Sequence, residues 1–201
     1  MSDEIHRRCV ETARELSPLL VDAIERGGPV MLEVDDSRPL AERLCRSIAG
    51  QQLSVKAARS IWARVVDAAG DAPLMEFFTE PNQDALRGCG LSGAKARALC
   101  LIAAEARAGR LEADELRMLD HAERSRHLTA LWGVGQWTAD MISIFYFGDP
   151  DVWPEGDVAA RKTLERLTSP RRKTLRTAAR FAPYRSHLAL YLWRHVDAPP
   201  V

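Results

Sequence analysis

Apolar residues recur three or four positions apart along almost the whole chain, and glycine or proline repeatedly cuts the pattern short. Val10, Ala13, Leu16, Leu20, Val21 and Ile24 form one such stripe, which Pro18 divides and Gly27-Gly28-Pro29 ends. Leu44 and Ile48 mark a second, from Pro39-Leu40 to Ala49. Ser54 suits the N-cap of a helix over 55–69, and Ser92-Gly93-Ala94-Lys95 opens an alanine-rich helix through Ala108. Further helices are predicted over 84–87, 114–119, 122–131, 136–147, 157–167, 169–181 and 186–196. Only 30–34 reads as extended. A chain written in this way is predicted to be all-α, with many short helices and no fixed repeat.

At 201 residues such a set of helices can bury a substantial core, as one domain or two intimate lobes. The start, Met1 to Arg8, is charged and has no apolar run behind it, so neither a signal nor a transit peptide is expected. No segment approaches the roughly eighteen apolar residues of a membrane span. A cytoplasmic, monomeric protein without a membrane partner is therefore the expectation. Cys9, Cys45, Cys89 and Cys100 form no C-x-x-C pair, so they are read as reduced, mostly buried thiols, with no zinc site and no iron–sulfur cluster. The formal net charge is zero, yet its distribution is uneven. Residues 1–42 hold ten acids against five bases, and residues 157–195 hold ten bases against two acids. That basic end is either a solvated face or a phosphate-binding surface.

Three short stretches carry possible chemistry. Gly133-Val134-Gly135 separates two predicted helices, and the free amides at the start of the second suit a phosphate. A plain interhelical turn explains the same glycines. Asp157 follows Pro154-Glu155-Gly156 at a helix start, where it is either a cap or a reactive carboxylate. Gln51-Gln52-Leu53 interrupts two helices, as a hydrogen-bonded surface turn or as a wedge presented outward.

Taken together, Gly-Val-Gly-x-Trp-Thr-Ala at 133–139, Pro-x-Gly-Asp at 154–157 and Gln-Gln-Leu-Ser at 51–54 resemble the helix–hairpin–helix (HhH-GPD) DNA glycosylase superfamily. Within it they are most similar to the 3-methyladenine DNA glycosylase II family. The resemblance covers roughly Leu20 to Trp193. It implies two helical lobes with a cleft between them, residues 1–38 with 148–201 carrying the catalytic aspartate and residues 39–147 forming a helical barrel that ends in the hairpin.

The resemblance also implies an activity: flipping alkylated purines out of double-stranded DNA and hydrolysing the N-glycosidic bond, which leaves an abasic site for base excision repair. Asp157 would be catalytic, stabilising the positive charge that develops on the sugar. Gly133, Val134, Gly135 and Thr138 would form the DNA-binding hairpin. The carbonyls of Thr129, Leu131 and Val134 would hold a structural Na+ or K+ when DNA is bound, and no organic cofactor is implied. Gln51, Gln52 and Leu53 would be the minor-groove wedge, with Gln52 in the place of the inserted residue. Trp137, Met141 and Trp193 would line the base pocket, where indole stacking and cation–π attraction favour an electron-poor base. Lyases of the superfamily carry a lysine where Trp137 stands, so hydrolysis without strand cleavage is implied. Trp132 is expected to pack in the core. Arg185, Ser186 and the basic helices after Asp157 are candidates for phosphate contacts.

Two features depart from the family pattern. The additional N-terminal β-rich domain of many bacterial members finds no counterpart at the start of this sequence, and the cysteine cluster of other branches is missing. Two other readings stay open: a glycosylase for deaminated or mismatched bases, and a non-catalytic DNA-binding module. Through DNA, the protein would be nucleoid-associated.

Overall fold

The computed structural model describes residues 2–196, and among the described residues every regular element is a helix, with no strand. No helix among them is long and apolar enough to cross a membrane. The chain divides into two compact units, Met1–Val34 with Ser143–Pro200 and Asp35–Ile142. Both breaks fall a few residues before 38/39 and 147/148, the boundaries that the resemblance implies. The second lies inside a helix, where no stop residue marks it.

The first unit begins with α1 (Ser2–Arg14) and α2 (Pro18–Gly27). Ser17 caps α2 by accepting from Leu19 N, and Pro18 takes the first helical position, where its missing N–H costs nothing. The second unit contains α3 (Leu40–Gly50), α4 (Val55–Ala69), the single turn α5 (Leu74–Phe77) and α6 (Gln83–Gly88). It continues with α7 (Gly93–Arg107), α8 (Ala113–Arg117), α9 (His121–Thr129) and the start of α10 (Gln136–Phe145). The first unit resumes within α10 and closes with α11 (Val158–Leu167), α12 (Thr174–Ala178) and α13 (Arg185–His195).

In the second unit α3 packs on α7 and α4. Their apolar stripes bury Leu44, Ile48, Leu99 and Ile102 almost completely. Small residues on both partners, such as Ala41 and Ala49 on α3 and Ala96 and Ala103 on α7, let helix axes come close. In the first unit α2 packs on α1, α11 and α13 around Leu20, Ile24, Leu164, Leu188 and Tyr191.

The predicted helices are present, with three differences. Residues 30–34 form no strand; Val30 is buried while Met31 and Val34 are exposed. The helix predicted over 169–181 starts only at Thr174, because Ser169 accepts from Arg171 N and Arg172 N through its side chain and carbonyl and makes a local turn instead. Residues 179–181 then tighten into a 3-10 turn. The single turn α5 after Pro73 is too short to show a period in the sequence.

Candidate active site and DNA-binding hairpin

In the first unit the residues around Asp157 are held at nearly every position. Ser186, fully buried, donates to Asp149 O at 2.7 Å and accepts from Val152 N at 3.0 Å. Arg185 grips Asp151 through two bonds of 2.7 and 2.9 Å. Ser186 thus has no exposed hydroxyl for a phosphate and Arg185 is engaged with a carboxylate, so both serve to anchor the segment that leads to the aspartate. Trp153 is buried and its indole donates to Glu155 at 2.5 Å, while Thr174 donates to both oxygens of the same carboxylate at 2.7 and 2.9 Å. The Pro-Glu-Gly turn closes with Asp157 N donating to Pro154 O at 2.8 Å.

Asp157 is the N-cap of α11 and is partly exposed. Its Oδ1 accepts from Ala160 N at 2.8 Å and from Trp193 Nε1 at 3.0 Å. The cap and the reactive carboxylate, alternatives in the sequence, thus occupy one residue, since a capping oxygen at a helix start is also a fixed negative charge. Trp193 is 2% exposed and packs against Phe145 with ring centroids 5.8 Å apart. The structure therefore corrects its expected part: the indole supplies a hydrogen bond to Asp157, and it has no open face for stacking a base.

In the second unit α9 and α10 flank the glycine turn. A capping box of Asp120 and Glu123 starts α9, and Thr129 Oγ1 donates back to Ser125 O near its end. Gln136 Nε2 donates to Ser125 Oγ and to Asp140 Oδ1, both at 2.8 Å, tying the two helices together across the turn. Val134 is buried. Gly133 has φ +89°, and a Cβ there would stand 2.8 Å from Ala98 Cβ on α7, so the fold itself requires this glycine. Gly135 differs: an added Cβ would meet nothing within 4 Å. Packing therefore does not explain it, and the backbone at the start of α10 is left open to approach.

Thr138 is buried and accepts from Gln51 Nε2 at 3.1 Å; the same amide donates to Gly133 O at 3.4 Å. The residues of the hairpin and of the 51–53 turn are thus brought together. Gln52 is exposed with φ +59°, Leu53 is half-buried, and Gln51 is turned back onto the hairpin. Trp137 is half-buried and Met141 buried on α10.

Trp132 is 44% exposed with the Arg97 guanidinium 4.9 Å from its ring centroid, contrary to the core position expected of it. The carbonyls of Thr129, Leu131 and Val134 are neutral oxygen donors on one turn, a set that suits a hard monovalent cation, although Leu131 O also accepts from Val134 N at 3.1 Å.

An all-helical chain with this hairpin, and an aspartate capping the helix after Pro-x-Gly, defines a helix–hairpin–helix DNA-repair protein. The family model for HhH-GPD superfamily base excision DNA repair proteins matches residues 45–182, and the chain belongs to that superfamily. Among its relatives, DNA-3-methyladenine glycosylase 1 of Schizosaccharomyces pombe is 33% identical over 161 residues, which cover 76% of this chain and 71% of the relative. The crystal structure of a DNA-3-methyladenine glycosidase from Bacillus halodurans superposes with a TM-score of 0.77 at 30% identity, covering 94% of this chain and 87% of that one. A 3-methyladenine DNA glycosylase of S. pombe in complex with abasic DNA gives 0.79 at 25% identity, with 98% of each chain covered.

Proposed function

We propose that this protein is a monofunctional DNA glycosylase that removes alkylated purines of the 3-methyladenine and 7-methylguanine type from duplex DNA, leaving an abasic site for base excision repair. The observation that carries the reading is the Asp157 carboxylate, held by the α11 amide of Ala160 and by the Trp193 indole N–H. Both donors take one oxygen and fix the direction of the group. As the N-glycosidic bond breaks, positive charge develops on the sugar, and a preorganised carboxylate stabilises that charge without having to reorient. Water then adds to the sugar. The names of the relatives support the same substrate class.

The second unit serves to bind. Amides of the Gly133–Gly135 turn donate to a backbone phosphate, and the carbonyls of Thr129, Leu131 and Val134 would hold a monovalent cation that adds positive charge beside it. The wedge fills the space that an extruded base leaves. Trp137, partly exposed on α10, offers an aromatic surface to the base and supplies no amine for attack on the sugar, so strand cleavage is not expected.

The test uses duplexes containing methylated purines, hypoxanthine, uracil or a mismatch. Wild-type protein should release base from the methylated duplex, with strand breaks only after alkali. Asp157→Asn should slow release at least about a hundredfold, the magnitude typical of losing a preorganised electrostatic stabiliser. Release from the uracil or mismatch duplex alone would move the substrate class, binding without release from any duplex would sink the enzymatic reading, and strand cleavage without alkali would refute the monofunctional one.

A further inference from the structure

The turn between α3 and α4 is built in a way that a surface loop does not need. Leu53 N donates to Gly50 O at 3.2 Å, Gln51 has φ −51° and ψ 134°, and Gln52 has φ +59°. This is the pattern of a type II turn, whose third position favours glycine. A glutamine there is held in the left-handed region with its side chain exposed at the tip.

The residues on either side hold it. Gln51 Nε2 reaches Thr138 Oγ1 and Gly133 O, which are 87 and 82 positions away in sequence. Lys95 Nζ donates to Ala49 O at 3.0 Å and to Gln51 O at 2.7 Å, satisfying carbonyls at the open end of α3. Lys95 lies two residues into α7, the helix whose Ala98 abuts Gly133. One ammonium and one carboxamide therefore join α3, α7 and the hairpin around a single strained tip.

Resting on the glycosylase reading above, we propose that Gln51 and Lys95 are positioning residues that make the wedge turn and the hairpin one rigid piece, so that seating the hairpin on a phosphate carries Gln52 into the duplex. Without these ties the turn must be ordered during insertion, and that entropic cost falls on the base-flipping step rather than on binding. The two effects are separable. Hairpin amides set DNA affinity, whereas the ties set how fast the base leaves the stack.

Gln51→Met and Lys95→Met keep side-chain length and remove the donors, and Lys95→Arg restores a cation with several donors. The probe is a duplex with a stable abasic analogue next to 2-aminopurine, whose fluorescence rises on unstacking, alongside single-turnover base release from methylated DNA. Both methionine variants should bind within about threefold of wild type, while unstacking and release slow about tenfold, equivalent to about 1.4 kcal/mol on the barrier. Lys95→Arg should recover the rate. Unstacking by Gln51→Met and Lys95→Met at the wild-type rate overturns the coupling, and so does a loss of affinity in proportion to the loss of rate. Wild-type protein that binds and unstacks the duplex yet releases no methylated base overturns the glycosylase reading alone, since the coupling is read from fluorescence.

Discussion

In the reaction proposed above, the Trp193 indole is one of the donors that would orient Asp157. A hydrogen bond to a charged group contributes about 1.5–3 kcal/mol. Trp193→Phe keeps most of the buried ring against Phe145 and deletes the N–H to Asp157. Base release in the variant should fall about tenfold or more with KM little changed, as measured by steady-state kinetics. A variant with wild-type kcat would show that the carboxylate is oriented without the indole. The capping position of Asp157 was legible in the sequence because its motif is local. Its partner was not, being 36 positions away, and an apolar period cannot say which way an indole N–H points. Glu155 was missed for the same reason, since its donors Trp153 and Thr174 flank the aspartate from both sides of the chain.

The hairpin is the element in which turn conformation and packing meet the proposed binding role. Gly133→Ala should destabilise the protein by about 2–4 kcal/mol, from the overpacking against Ala98 and the left-handed backbone together. Thermal denaturation measures it, and adding Ala98→Gly should recover only the packing part. Gly135→Ala should leave the melting temperature nearly unchanged and weaken DNA binding, because its Cβ would meet nothing in the protein. Equal affinity of this variant and wild type would remove the case for phosphate approach at Gly135. The helices on either side could be read from periodicity and the two glycines from their spacing. The different reasons for those glycines could not, since one depends on a helix more than thirty positions earlier.

For the whole molecule, burial leaves a chemical signature. All four cysteines are free and buried; burial pushes the thiol of Cys9 up to about 12 and raises those of Cys45 and Cys100. Thiolate is the reactive form, so a thiol reagent at pH 8 should label the native protein slowly and the unfolded protein at four sites, with native labelling tracking the opening of each unit. Fast labelling of Cys9 or Cys45 in native conditions would contradict the packing described. The same global stability gives the tip at Gln52 a further meaning. A left-handed glutamine costs about 1–2 kcal/mol, and glycine would remove that strain while adding only about 0.5–1 kcal/mol of unfolded-state entropy. Gln52→Gly should therefore melt no lower than wild type. Selection for stability alone would replace this residue, so its retention would mark a position where the protein trades robustness for a side chain that reaches outward.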